Sequence, residues 1–279
     1  SGRISILHEG PRTVTILQSS DPFDFIGSRT VATTGGPRCD QGGGRRGIQK
    51  GPSSGHIIPE VHLRGFLEDI DMNADMAAVN TGTSTLGICF DGGVVVGADH
   101  RATMGHFVAN KSVQKLFKIA DNLALTTAGL VGHAQSLSRT LAAEMSLFEL
   151  KRGKNMTVKG AATMTANILG GRPHWVQLLI AGVDDSGGSV YSIDSAGGSI
   201  PDEYCATGSG SPYMYGVLED QFKSDMTEKE ALKVAAKALL ASAQRDAASG
   251  NGMDLAVITQ KAGFRLLTEA ELSALLEQC

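Results

Sequence analysis

The sequence predicts an α+β fold in which two antiparallel sheets lie face to face between two outer helix layers, an αββα arrangement. Three observations support this prediction. Apolar, strand-like segments come in hairpin pairs, helical segments come in adjacent pairs, and the regular pattern begins only at Thr83. Strands that alternate with single helices would indicate a doubly wound parallel sheet, whereas grouped helices favour stacked antiparallel sheets.

The first predicted hairpin joins Ser84–Phe90 to Val94–Ala98 through the turn Asp91-Gly92-Gly93. A second pair, Lys115–Ile119 and Asn122–Ala128, lies on either side of a short turn. The other predicted strands are apolar, β-branched runs bounded by polar or glycine-rich residues. They are Val176–Gly182, Ser189–Asp194, Tyr204–Thr207, Asp254–Thr259 and Phe264–Leu266.

The helix predictions depend on apolar periodicity and on end signals. The first helix covers Ala134–Arg152 and ends at Gly153, and the second covers Thr157–Leu169 and stops at a glycine pair. The buried stripe of the first helix repeats at three- and four-residue spacing: Leu137, Leu141, Met145 and Phe148. A short third helix is predicted over Pro212–Phe222.

Two capping boxes predict the starts of the last two helices. One runs from Thr227 to Glu230 and the other from Thr268 to Glu271. The stripe expected to be buried behind the first box consists of Leu232, Ala235, Leu239 and Ala243.

Residues 1–82 differ in composition from the rest of the chain. The stretch Gly35–His56 is rich in Gly, Arg, Pro and Ser and offers almost nothing apolar to bury, so disorder is predicted there. Val14–Leu17 could form an isolated strand. Met72 and Met76 lie close to the Gly82–Thr83 bond, and translation could start at either one, in which case the residues upstream of it would not be made. We therefore predict a mostly disordered extension over 1–82 and a compact domain over 83–279.

Composition excludes several classes of function. A net charge of −4 argues against binding to nucleic acid or to an anionic membrane, and no apolar run reaches the roughly 18 residues of a membrane span. The first residues lack the apolar centre of a signal peptide, so a cytoplasmic location is expected. Four scattered cysteines without a CxxC pair predict free thiols and neither a disulfide framework nor a metal site.

Several catalytic motifs are incomplete. Ser112 and Lys115 match S-x-x-K without a K-T-G partner, and Gly208–Ser211 resembles a phosphate loop without the following Gly-Lys. H-E-x-x-H does not occur. Composition alone leaves a Ser-His-Asp triad open, but no G-x-S-x-G nucleophile elbow supports one, because the match at Gly51–Gly55 lies inside the segment predicted to be disordered and not between a strand and a helix. What remains is a group of residues at strand ends, where structural need is weak: the Gly82–Thr83 bond, Asp99, Lys115 and Gly129.

These residues occur within a series of segments that resembles the mature proteasome β subunit, in its archaeal type. The resemblance covers essentially all of 83–279. The segments that carry it, in order, are Thr83–Gly87, Gly97–Gly105, Lys115–Phe117, Thr127–Gly132, Thr207–Glu219 and Gln244–Gly250. The resemblance implies the N-terminal-nucleophile hydrolase fold, which is an αββα sandwich and agrees with the predicted element order.

The resemblance implies a threonine peptidase whose nucleophile is Thr83, surrounded by Asp99, Lys115, Ser209, Asp246 and Ser249. A threonine hydroxyl needs a base, and a free α-amine titrates at about 7.7–8.0, close to working pH. Lys115 would favour the neutral amine and the alkoxide, while Asp99 would hold the lysine. The Gly129 N–H would donate to the oxyanion.

The same chemistry gives the extension a role. While Gly82 is attached, the Thr83 nitrogen is an amide and cannot act as a base, so residues 1–82 are expected to be a propeptide removed by self-cleavage at Gly82–Thr83.

The resemblance also implies a substrate pocket lined by Ala102, Val113, Thr127 and Val131, with cleavage after hydrophobic residues. Thr127 is smaller than the apolar residue often found there.

The expected partners are proteasome α subunits and other β subunits in stacked rings, a regulatory ATPase on the α ring, and unfolded polypeptide as substrate. No cofactor, nucleic acid or membrane is expected. Two alternatives stay open: a subunit of the bacterial dodecameric threonine peptidase, and a non-catalytic β subunit that only builds the ring. Asp246 and Ser249 favour the proteasome over the first, and retention of Thr83, Asp99 and Lys115 argues against the second.

Overall fold

A computed structural model describes residues 3–8, 13–19, 28–32, 82–171 and 174–279. The chain divides into two compact units, Ser1–Pro59 and Glu60–Cys279. The first unit contains an antiparallel sheet of three strands, β1 (Arg3–His8), β2 (Thr13–Ser19) and β3 (Ser28–Ala32). The strand predicted at 14–17 is confirmed within β2, but it is paired on both sides and not isolated. The stretch 35–56, predicted to be disordered, lies outside the described residues, and the division at residue 82 stays a prediction.

The second unit contains two five-stranded antiparallel sheets and a separate hairpin. The first sheet has the strand order β13-β4-β5-β14-β15, and the second has β12-β11-β10-β9-β8. The strands are β4 (Thr85–Phe90), β5 (Gly93–Asp99), β6 (Ala102–Met104), β7 (Phe107–Asn110), β8 (Leu116–Ala120), β9 (Leu123–Gly129), β10 (Val176–Asp184), β11 (Gly187–Ile193), β12 (Ser199–Asp202), β13 (Tyr204–Thr207), β14 (Met253–Thr259) and β15 (Gly263–Leu266).

Within residues 82–171 and 174–279, five helices cover the two sheets. They are α1 (Val131–Arg152), α2 (Val158–Gly171), α3 (Ser211–Gln221), α4 (Glu228–Arg245) and α5 (Glu269–Leu276). No helix in the described part of the chain is long and apolar enough to cross a membrane.

Three apolar clusters define the layers. One cluster packs α3, α4 and α5 on the first sheet, through residues such as Leu86 and Leu239. A second packs α1 and α2 on the other sheet, through residues such as Leu141 and Ile180. The third lies between the sheets and includes Val96. The order is helix, sheet, sheet, helix, so the predicted αββα fold is confirmed.

Both predicted capping boxes are confirmed. The Thr227 N–H donates to Glu230 Oε2 at 2.9 Å while Thr227 Oγ1 accepts the Glu230 N–H, and the same reciprocal pair joins Thr268 and Glu271. Each box satisfies N–H groups that the first turn of a helix leaves without a partner.

Two strand regions escaped prediction. The hairpin of β6 and β7 is largely exposed and too short to show alternation, and β12 contains Pro201, which argues against a strand. One helix position was wrong: Ala243 is exposed, and the neighbouring Ser242 is buried in its place. Ser242 turns inward because its hydroxyl contacts the hydroxyl of Ser84, so a polar contact replaces an apolar one at this end of α4.

Candidate active site

The candidate site forms where strand ends from both sheets meet. Thr83 lies two residues before the start of β4. The antiparallel register places Thr85 opposite Ala98, so Asp99 at the end of β5 lies beside the start of β4. Met253 pairs with Asp99, which brings the loop 246–252 to the same edge. Lys115 enters from the second sheet, where its carbonyl accepts the Thr127 N–H at 3.0 Å.

Asp99 and Lys115 form a buried ion pair. Lys115 Nζ donates to Asp99 Oδ1 at 2.6 Å, and the two residues are 4% and 2% exposed, respectively. The other donors to this carboxylate are backbone N–H groups. These are Ser84 at 2.9 Å, Arg101 at 3.0 Å and Gly250 at 2.9 Å. Together these donors hold the Asp99 carboxylate in place, and the carboxylate in turn fixes the position of the ammonium group.

Two opposing effects act on the pKa of Lys115. Burial lowers the pKa of Lys115 below its ordinary value of 10.5, and the charge of Asp99 beside it counteracts that fall. Asp246 acts in the same direction as Asp99, and Arg101 opposes them. The pKa of Lys115 therefore lies below 10.5, and in this dry environment the field of an ammonium group acts strongly on its neighbours.

The groups of Thr83 belong to a chain of hydrogen bonds. The Thr83 N–H donates to Ser209 Oγ at 3.1 Å, and Ser209 Oγ donates to Asp246 Oδ2 at 2.6 Å. Ser249 Oγ donates to the same carboxylate oxygen at 2.6 Å. On its other side, Thr83 Oγ1 donates to the carbonyl oxygen of Gly82 at 2.6 Å, so the hydroxyl lies against the peptide bond that it would attack.

A mainly apolar cavity of about 500 Å³ opens beside Thr83. All four residues predicted for the substrate pocket line it: Ala102, Val113, Thr127 and Val131. Gly129 lies on the same wall with φ +118°, and a Cβ there would come within 2.3 Å of the Trp175 carbonyl oxygen. Close backbone approach and positive φ both require glycine at this position.

The structure therefore brings the predicted residues to one place. Thr83, Ser209, Asp246 and Ser249 are joined through hydrogen bonds, and Asp99 and Lys115 lie beside them. Within 82–171 and 174–279 no hydrogen bond connects Lys115 directly to Thr83, although both line the cavity. The two residues therefore line the same cavity without a direct hydrogen bond between the Lys115 ammonium group and the Thr83 hydroxyl.

Sequence reasoning missed several supporting residues. Ser84 Oγ contacts Ser249 Oγ at 2.7 Å and Ser242 Oγ, which ties the start of β4 to α4 and to the loop after it. The Arg101 guanidinium donates to Asn251 Oδ1 and to the Ala247 carbonyl, both at 2.7 Å, and so fastens that loop to the end of β5. Thr103 Oγ1 accepts the Gly82 N–H. Ser84, Arg101 and Thr103 lie within segments that resemble the proteasome β subunit, but nothing in the sequence indicated the contacts that they make.

Chemically, the arrangement offers a hydroxyl beside a peptide carbonyl, a buried cation, an anion that orients it, and a polar relay to the Thr83 nitrogen. These are the components of nucleophilic catalysis by a residue whose own nitrogen becomes the base once it is free. An apolar cavity next to the nucleophile can accept a substrate side chain.

The chain is similar in sequence to proteins of known family. Residues 79–258 match the family model described as proteasome subunit. A proteasome subunit beta of Methanobrevibacter ruminantium is 47% identical over 197 residues, which cover 71% of this chain and 95% of that protein. A proteasome subunit beta of Methanocorpusculum labreanum is 46% identical over 209 residues, which cover 74% and 98%, respectively. A third from Methanosarcina barkeri is 46% identical over 70% of this chain and 93% of its own length.

Proposed function

The chain belongs to the proteasome subunit family, and we propose that it is a catalytic β subunit acting as a threonine endopeptidase on unfolded polypeptides. The observation that carries the proposal is the placement of the Thr83 hydroxyl. It lies 2.6 Å from the carbonyl oxygen of the preceding residue and within a buried set of orienting groups. A threonine kept only for structure would not need an adjacent buried ion pair.

The first reaction is self-cleavage. Thr83 Oγ1 attacks the Gly82 carbonyl carbon, the hydroxyl proton is transferred to the Thr83 nitrogen, and the C–N bond breaks so that this nitrogen leaves as an amine. The product is an ester between Gly82 and the Thr83 side chain, and water then hydrolyses that ester to a Gly82 carboxylate and a free threonine. The Ser209 hydroxyl, which already accepts the Thr83 N–H, is in position to hold the departing nitrogen.

The second reaction uses the freed residue. The α-amine takes the proton from Oγ1 as the hydroxyl attacks a substrate carbonyl, and it returns that proton to the leaving amine. Ser209 and Asp246 orient the amine, Lys115 stabilises the developing alkoxide, and the Gly129 N–H donates to the oxyanion. An acyl-enzyme ester on Thr83 is hydrolysed by water, which restores the free residue.

The partners follow from the family. A proteasome subunit assembles with other subunits, and we propose rings of β subunits stacked against rings of α subunits that receive substrate from a regulatory ATPase. A cytoplasmic location is part of the proposal, and the free thiols of Cys89, Cys205 and Cys279 are compatible with a reducing compartment. The loop that carries Asp246 and Ser249 supports a proteasome subunit over the simpler bacterial peptidase.

Substrate preference gives a direct test of the pocket. The only charged side chain among the described residues lining the cavity is Lys115, which is already paired with Asp99, so a charged substrate residue would enter without a free partner. In the assembled particle, peptides that differ only before the cut bond should be cleaved at least about tenfold faster with Leu or Phe there than with Asp or Arg. Equal kcat/KM values across this series would contradict the proposed preference.

A second prediction concerns Gly82 in the precursor. A Cβ added there would lie 1.7 Å from Ala248 Cβ and 2.7 Å from Ala248 Cα, so Gly82→Ala must displace the peptide bond that Thr83 attacks. Since a small misplacement of reacting groups can cost about a hundredfold in rate, we expect Gly82→Ala to accumulate the uncleaved chain. Mass spectrometry of the subunit at successive times after synthesis measures the fraction of chains that remain uncleaved.

Two further variants complete the Gly82 experiment. Gly82→Ala combined with Ala248→Gly removes the nearest clash and should restore part of the processing rate. Gly216→Ala in α3 adds the same methyl group where nothing lies within 4 Å, and it should process normally. Normal processing of Gly82→Ala itself would contradict the geometry assigned to the precursor.

A further inference from the structure

Thr103 is an unusual residue within an exposed hairpin. Met104 and Phe107 of the β6–β7 hairpin are 70% and 69% exposed, whereas Thr103 is 4% exposed. Its hydroxyl oxygen accepts the Gly82 N–H at 2.9 Å, and this contact is buried. The β6–β7 hairpin is therefore largely exposed, yet it provides a buried hydrogen bond to Gly82, the residue before the bond that would be cut.

A bulge in the hairpin accompanies this contact. Ala102 pairs with Asn110, but Thr103 pairs with Val108, so the register shifts by one extra residue on β7 between these two pairs. Bulges change the direction of a strand locally and often aim a side chain at a site. The bulge lies next to Thr103, whose side chain accepts the hydrogen bond from Gly82.

The need for such a contact follows from the chemistry at Gly82. Glycine is required there by the close approach of Ala248, yet glycine is also the residue with the greatest backbone freedom. Downstream, the peptide group is fixed because the Thr83 N–H binds Ser209 and the Thr83 carbonyl accepts the Gly210 N–H at 3.2 Å. Upstream, the Gly82 N–H is fixed by Thr103, so rotation about the bonds of Gly82 is restricted from both sides.

We propose that Thr103 is a positioning residue for self-cleavage: its hydroxyl oxygen holds the Gly82 N–H so that the Gly82 carbonyl stays within reach of the Thr83 hydroxyl. This proposal rests on the proposed function, because it concerns the self-cleavage of the same bond. It assigns to the β6–β7 hairpin a role in maturation of the chain, which is separate from lining the cavity.

The test compares three full-length chains under the conditions of particle assembly: wild type, T103V and T103S. T103V keeps the shape but removes the hydrogen-bond acceptor, and it leaves the Gly82 N–H without this partner. Loss of one buried hydrogen bond corresponds to a rate about 3- to 10-fold slower, so T103V should release the Thr83 terminus that much more slowly. T103S retains the acceptor and should process within about twofold of wild type.

The readouts separate positioning from folding. Mass spectrometry follows the fraction of chains that begin at Thr83, and thermal unfolding of each precursor reports its stability. Should T103V fail to fold, T103A removes the same acceptor without adding a second methyl group to the site. The proposal would be overturned if T103V or T103A unfolded at the same temperature as wild type and was also cleaved at the wild-type rate. It would equally be overturned if T103S was cleaved as slowly as T103V.

The same experiment distinguishes this proposal from the proposed function. If wild type itself is never cut at Gly82–Thr83 and the assembled particle hydrolyses no peptide, the proposed function fails. If wild type is cut and only the dependence on Thr103 is missing, the proposed function stands and the role of Thr103 is withdrawn.

Discussion

Thr83→Ala should abolish both self-cleavage and peptide hydrolysis. The substitution removes the hydroxyl that lies 2.6 Å from the Gly82 carbonyl oxygen, and no other described side chain has that contact. Loss of a covalent nucleophile typically lowers the rate by about 10⁶-fold, which is below detection in a peptide assay. Co-expression with α subunits, followed by peptide hydrolysis and intact-mass measurement, checks both losses in one preparation.

Thr83→Ser is the matched control for the nucleophile. It retains the hydroxyl and removes only the methyl group, so the chain should still be cut at residue 82 and should retain measurable peptidase activity. If Thr83→Ala were as active as wild type, the nucleophile would have to be another residue. If both variants were inactive while the particle assembled, the hydroxyl alone would not be sufficient for activity.

Lys115→Met should produce the second large effect. It removes the buried cation that we expect to stabilise the alkoxide and the neutral amine, while the length of the side chain is nearly kept. Removal of one preorganised electrostatic group typically lowers kcat by about 10²- to 10³-fold. It also leaves Asp99 buried without its ion-pair partner, which should lower the free energy of unfolding by about 3–5 kcal/mol.

The double variant Lys115→Met with Asp99→Asn separates these two effects. Removing both charges should recover much of the lost stability, because no uncompensated ion remains, but it should not recover activity. Lys118→Met is the matched control, because Lys118 is exposed, lies three residues further along and pairs at 2.6 Å with the exposed Asp121. Full activity in the double variant would show that the ion pair has only a structural role.

Most of the fold could be predicted because local signals and tertiary packing agree. Apolar periodicity located α1 and α4, capping boxes located the starts of α4 and α5, and a glycine-rich turn located the β4–β5 hairpin. Prediction failed where local signals are weak. The hairpin of β6 and β7 buries little, and its form depends on contacts with residues that are distant in the sequence.

The residues of the candidate site likewise divide into those that the sequence indicated and those that it did not. Asp99 and Lys115 could be located because they are charged residues at strand ends that also match site residues implied by the resemblance to the proteasome β subunit. Ser84, Ser242 and Thr103 could not, because short polar residues are common and their role depends on which residues the fold places opposite them. The exposure of Ala243 has the same origin, since a hydroxyl contact at Ser242 determines which side of the last turn of α4 is buried.

The most direct test of the whole account is the intact mass of this subunit taken from an active particle. We predict a chain that begins at Thr83, because only a free Thr83 amine can serve as the base for its own hydroxyl. An active particle in which the subunit still begins upstream of Thr83 would contradict the mechanism.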